Sequence, residues 1–132
     1  MLKTINCGDL RREQIGDEVS LAGWVDRRRD HGNVIFIDLR DRQGTVQVVF
    51  SPESPEAHRE AGQLRGEWVV RVTGRVRARP EGTVNPNLPT GEVEVAADRV
   101  EVLNESKTPP FYVNEESEVD ELVLLRAGEL GP

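Results

Sequence analysis

The chain is 132 residues long, with a formal net charge of −7, one cysteine and 36% hydrophobic side chains, the size and composition of one domain that buries its own core. The single Cys7 excludes an intrachain disulfide, and His31 and His58 supply no zinc-like spacing. The longest apolar runs, Val34 to Ile37 and Leu122 to Leu125, fall far short of the roughly 20 residues that cross a bilayer, so a reduced, cytoplasmic setting away from membranes is expected.

The acidity is uneven. Residues 1–91 hold 14 Lys and Arg against 13 Asp and Glu, whereas residues 92–132 hold 3 against 11. In the first portion the arginines cluster at Arg27, Arg28, Arg29, Arg40, Arg42, Arg71, Arg75, Arg77 and Arg79, with Asp26, Asp30, Asp38 and Asp41 interleaved among the first five. Interleaved charge suits local recognition better than bulk polyanion binding.

In chain order, a short helix or turn near the N-terminus precedes a first strand, in which Val19, Leu21, Gly23 and Val25 alternate with other residues. The same parity continues into Arg27 and Arg29, so this strand is expected to change from core to surface character along its length. Ile35, Ile37 and Leu39 mark a second strand, which leaves Phe36 and Asp38 on the opposite face. Asp41 to Gly44 reads as a turn, and Thr45 to Phe50 as a third strand with Val46, Val48 and Phe50 opposite Gln47. Gln47 is therefore a neighbour of Phe36. Ser54 followed by Pro55 reads as a helix N-cap and first helical residue, with Ala57, Ala61 and Leu64 on one face and Gly66 as the stop.

The fourth strand, Trp68 to Arg79, places Arg71, Arg75, Arg77 and Arg79 on one face and valines on the other. A loop rich in turn formers, Pro80 to Gly91, leads to a fifth strand through Val93, Val95 and Ala97, resuming at Val100 and Val102. This order predicts an all-β, five-stranded Greek-key OB-fold barrel over residues 1–105, with one short helix between strands three and four. In that fold, strands two and three and the loops joining strands one to two and four to five bind nucleic acid. The rule selects Arg27 to Gly32, Phe36, Gln47 and the Arg79 to Gly91 loop. An exposed phenylalanine flanked by guanidinium groups suits an unpaired base, although packing under a loop would explain the same pattern.

The segments GWVDRRRDHG at 23–32, IFIDLRDRQG at 35–44, VTGRVRAR at 72–79 and TGEVEV at 90–95 closely resemble the N-terminal anticodon-binding domain of bacterial aspartyl-tRNA synthetases. The resemblance covers residues 3 to 126, and the triple arginine fits the aspartyl branch better than the asparaginyl or lysyl branches. It implies recognition of a tRNA anticodon loop, with Phe36 stacking on the central base and Arg29 and Gln47 hydrogen-bonding to bases. Arg77, Arg79, Asn85 and Glu94 match polar family positions around the outer bases or backbone. His31 with Gly82 resembles the pattern of non-discriminating members, which accept both aspartate and asparagine tRNAs.

The resemblance further implies a parent enzyme that uses ATP and magnesium, is a homodimer and carries a separate catalytic domain, while this portion needs no cofactor or metal. Residues 106–132 read as an acidic linker toward that domain, with 127–132 departing from the family's pattern either as an added sequence or as an unusual natural end. No glycine-rich ATP segment or class II arginine motif occurs in the chain, so on its own it is expected neither to activate aspartate nor to transfer it. The alternative kept open is a free-standing OB-fold that binds single-stranded nucleic acid. A protein-interaction module using the acidic tail is a third.

Overall fold

A computed structural model describes residues 3–104; the acidic segment 106–132 lies outside the described residues. Five strands, β1 (Glu18–His31), β2 (Val34–Asp41), β3 (Gly44–Phe50), β4 (Val69–Ala78) and β5 (Val93–Asn104), close into a barrel in the order β1-β2-β3-β5-β4, with β4 returning to β1. Neighbours are antiparallel except β3 and β5, which run parallel over three register pairs: Gln47 with Glu94, Val48 with Val95, and Val49 with Ala96. This is the expected OB-fold, and the predicted N-terminal turn is present as two 3-10 turns, Cys7–Asp9 and Arg12–Gln14.

The alternating apolar residues do what their period requires. Leu21, Val25, Ile37, Leu39, Val46, Val48, Val72 and Val95 are buried inside the barrel, and closure leaves no long unpaired edge. Strand crowding falls on glycine at the crossing of β4 and β5, where a Cβ on Gly74 would meet the carbonyl oxygen of Ala96. The single helix, α1 (Pro55–Ala61), buries Ala57 and Ala61. It is shorter than the sequence suggests: Gly62 caps it, not Gly66, and Leu64 is buried just beyond its end. Ser54 sits at the N-cap, but its side chain makes no capping bond.

The main departure from the simple periodic reading lies in β1. Val25 pairs with Leu39 and Arg27 with Asp38, so Asp26 is an extra residue in the ladder, a β-bulge. Alternation therefore does not run unbroken from Val25 into Arg27 and Arg29. Beyond the bulge, Arg29 faces outward beside Phe36, and Arg28 takes the inward parity opposite Ile37. At the end of the barrel Arg28 donates to the carbonyls of Gly62 (3.0 Å) and Leu64 (3.0 Å) past α1, satisfying acceptors that a helix terminus leaves open. It also bonds both oxygens of Asp30 at 2.9 Å. That hydrogen-bonded pair holds Arg28 above its usual pKa and Asp30 below its own.

A second extra residue, Asp98, sits in β5 between Ala97, paired with Gly74, and Arg99, paired with Thr73. The sequence's fifth strand and its resumption are thus one continuous strand bent at this point.

Candidate nucleic-acid interface

On the outside of the barrel, the end of β1, the start of β2, the middle of β3, the end of β4 and the start of the β4–β5 loop enclose a groove of about 550 Å³. That volume lies in the range of ligand-binding clefts, roughly 300–1,000 Å³. Arg29, Phe36, Gln47, Arg77, Arg79 and Glu94 all line it, as does His31. The strands place them directly: Arg29 is opposite Phe36, Gln47 opposite Glu94, and Glu94 opposite Arg77. Gln47 and Phe36 are diagonal neighbours, because Phe36 pairs with Val49 and Gln47 with Asp38.

Phe36 is half-buried and meets His31 in a T-shaped contact, 5.6 Å between centroids and 81° between planes. The Arg29 guanidinium carbon stands 5.8 Å from its centroid, within cation–π range. The Phe36 ring thus lines the groove beside fixed donors and acceptors.

Those donors and acceptors form one relay. Asp38 accepts from Nη2 of Arg29 at 3.0 Å, and the same nitrogen donates to Oε1 of Gln47 at 3.1 Å. Nε2 of Gln47 donates to Oε1 of Glu94 at 2.8 Å, and Nε of Arg77 donates to Oε2 of Glu94 at 2.7 Å. Glu94 is only 1% exposed and Gln47 6%, so neither is a solvated strand residue. The relay also settles the amide: an ionised carboxylate only accepts and a guanidinium only donates, which forces the NH2 of Gln47 toward Glu94 and its oxygen toward Arg29. The amide keeps one N–H and one lone pair for a ligand, the complement of a base edge that has both an acceptor and a donor.

Arg79 spans the base of the β4–β5 loop, donating to the carbonyls of Val93 (3.3 Å) and Thr83 (3.2 Å). Burial holds its guanidinium below the usual arginine pKa; the Glu94 and Asp38 charges oppose that shift and Arg29 adds to it.

Other sequence candidates fall elsewhere. Asn85 organises the loop, its side chain accepting from the Asn87 N–H at 2.9 Å and its backbone N–H bonding Gly91 at 3.0 Å. It does not line the groove, and neither does Gly82, an exposed loop residue at φ +87°. Arg71 and Arg75 share a strand face with Arg77, but they are engaged by Glu101 (2.7 Å) and by the Gly16 carbonyl. The sequence places Asp38 in an interleaved charge run and on the Phe36 face of β2, without assigning it a role. The signal for that role is its position on the same face two residues along β2 from Phe36, directly across from Gln47.

The matches to known proteins agree with this geometry. Residues 19–103 match the tRNA anti-codon family, described as an OB-fold nucleic acid binding domain. The chain is 58% identical over 120 residues to an aspartate–tRNA(Asp/Asn) ligase of Moorella thermoacetica, covering 91% of this chain and 20% of that protein. It is 56% identical over 124 residues to the protein of the same name from Rubrobacter xylanophilus, covering 94% and 21%. The chain thus spans about one fifth of the length of these relatives. Among solved structures, asparaginyl-tRNA synthetase from Pyrococcus horikoshii superposes with a TM-score of 0.68 at 32% identity, over 94% of this chain and 28% of that one. With a closed five-stranded barrel, a base-sized groove on its nucleic-acid face and a family match across the whole barrel, the chain belongs to the tRNA anti-codon family of OB-fold nucleic-acid-binding domains.

Proposed function

We propose that this chain reads the anticodon loop of aspartate tRNA, and also that of asparagine tRNA, as part of an ATP-dependent aspartate–tRNA ligase. The observation that carries the reading is the pairing of an aromatic ring that lines the groove, Phe36, with the buried Gln47 amide whose two ends are fixed by Arg29 and Glu94. Single-stranded loop bases offer both a π-face and unpaired edges. Phe36 stacks on the central base, and Arg29 and Gln47 take its edge. Arg77, Arg79 and Glu94 serve the flanking bases, with Asn85 shaping the loop that closes over them.

Acceptance of both tRNAs is supported by the names of the relatives, which specify Asp/Asn, and by His31 standing against Phe36 at the mouth of the groove; Gly82 completes the proposed discriminating pair. In the parent enzyme, a cytoplasmic homodimer, residues 106–132 lead to the catalytic domain, where ATP and magnesium act. No helix among the described residues is long and apolar enough to cross a membrane.

The test is binding of the chain, at one stated salt concentration, to stem-loops carrying GUC, GUU and an unrelated anticodon. GUC and GUU are expected to bind alike and well above the unrelated loop, with Phe36→Ala weakening both by about 1–3 kcal/mol, the worth of one stacked base. A preference of GUC over GUU of that size or more overturns dual acceptance. Equal binding of all three loops overturns the anticodon reading in favour of a general single-strand binder.

A further inference from the structure

Asp38 does not line the groove, yet it holds one end of the relay. Its carboxylate takes one hydrogen of Arg29 Nη2 and Gln47 Oε1 takes the other. Two in-plane bonds from one nitrogen fix both the position and the plane of a guanidinium. The remaining N–H groups of Arg29 are then held in a fixed plane, and among them Nε is buried with no partner in the protein. A lone exposed arginine would swing toward any phosphate, because its charge is unsatisfied and its side chain flexible. Compensated by Asp38, Arg29 becomes a directional donor instead.

We infer that Asp38 is a specificity-determining positioning residue: it clamps Arg29 so that the guanidinium reads a base edge and is withheld from the RNA backbone. The inference rests on the anticodon reading above. Asp38 acts only through Arg29, and its side chain is partly exposed at the surface of β2, so its substitution leaves the barrel core untouched.

The experiment compares the wild-type 132-residue chain with Asp38→Ala and Asp38→Asn, measuring affinity for GUC and GCC stem-loops over a series of salt concentrations, with Tm recorded for each protein. In Asp38→Ala the preference for GUC over GCC is expected to fall about tenfold, within the range of one good base contact. The freed charge steepens the dependence of log K on log salt by about 0.7, the increment for one more phosphate contact on a single strand. Asp38→Asn keeps an acceptor without the charge, so it recovers most of the preference while the salt dependence stays steep.

A purely structural role predicts something else, a lower Tm and equal weakening toward both loops. That result, or an unchanged GUC to GCC ratio in Asp38→Ala, overturns the inference. Should Asp38→Ala fail to fold, an unchanged salt slope in Asp38→Asn overturns it. If the wild-type chain itself does not distinguish GUC from GCC, the anticodon reading falls and this inference falls with it.

Discussion

At the scale of single residues, the buried carboxylates Glu94 and Asp41 each have a defined task. Glu94 is almost completely buried and holds both Gln47 and Arg77. Glu94→Ala leaves the Gln47 N–H unsatisfied and frees Arg77, whose side chain is 48% exposed and can turn to water. The expected cost is therefore about 1–3 kcal/mol, that of an unsatisfied buried donor, and not the larger cost of a stranded buried charge. Urea denaturation measures it, and Glu94→Gln should recover part. Asp41 carries a comparable load at the opposite side of β2. Its two oxygens accept from the backbone N–H groups of Cys7 (2.7 Å), Gln43 (2.9 Å) and Gly44 (3.2 Å), tying the N-terminal turn to the β2–β3 hairpin. Asp41→Ala should cost at least about 2 kcal/mol, with Asp41→Asn milder because one acceptor remains.

Cys7 is fully buried, and burial, with the neighbouring Asp41 carboxylate, pushes its thiol well above the ordinary 9.0. The folded protein thus keeps the proton where the unfolded chain would release it. Its contribution is constant at neutral pH and is lost as pH rises beyond the unfolded value. The stability difference between wild type and Cys7→Ala should accordingly narrow above about pH 9, and thiol labelling at pH 8 should proceed only through unfolding. Fast labelling of the native protein would contradict this.

At the scale of elements, the bulge at Asp26 determines what β1 offers. Because Asp26 is the unpaired residue, Arg28 opposite Ile37 and Arg29 opposite Phe36 depend on the register that follows it; inserting one residue between Arg27 and Arg28 would turn Arg29 toward the core and Arg28 toward solvent, since a one-residue shift reverses every side chain beyond it. Loss of stem-loop binding together with a Tm drop is the expected result; an insertion variant that still binds would show that the register beyond the bulge is not what aims Arg29. Substitution of Asp26 by Ser, which keeps residue count and parity, should preserve both.

The same element shows how far the sequence could be read. Strand identities, the hairpin turn at Asp41 to Gly44 and the faces of Phe36 and Gln47 all followed from period-two alternation, because each strand has one dry face and alternation records it. The bulge at Asp26 leaves no such record, whereas the one at Asp98 does, in the switch of apolar parity from Val93, Val95 and Ala97 to Val100 and Val102. Asp26 is a surplus aspartate at the head of a polar run, Asp26 to Asp30, where no apolar residue marks the change of face, so the parity of the arginines is not legible past Val25. Partners were hidden for another reason. Whether Arg77 meets Glu94 depends on which strands adjoin in the closed barrel, a property of topology that no local window contains. Arg71 and Arg77 were therefore alike in the sequence and differ only by what stands across from them.

At the scale of the whole molecule, charge and shape divide the surface unevenly. The groove sets Arg29, Arg77 and Arg79 against Glu53 and Glu94, with Asp38 behind Arg29, in a chain whose net charge is −7. Binding should therefore depend weakly on salt, with a slope corresponding to about one or two phosphates at roughly 0.7 each on a single strand. A slope of several units would indicate that the backbone, and not the bases, supplies the affinity. Barrel closure itself is vulnerable at Gly74, where an added methyl meets the Ala96 carbonyl on β5. Gly74→Ala should cost about 1–3 kcal/mol by overpacking, which thermal unfolding would report as a fall in Tm.

The three-pair parallel seam between β3 and β5 carries Gln47 and Glu94, so the reading surface lies across the shortest ladder in the barrel. No isolated hairpin can display it: β2 and β3 alone would present Phe36 and Gln47 without Glu94, and β4 and β5 alone would present Glu94 and Arg77 without Phe36. A nascent or partly unfolded chain would therefore have no groove with which to capture RNA. Once the seam has shut, a bound loop would act as a clasp over it, and hydrogen exchange at Val48, Val49 and Val95 should slow on binding more than exchange anywhere on the β1–β4 side.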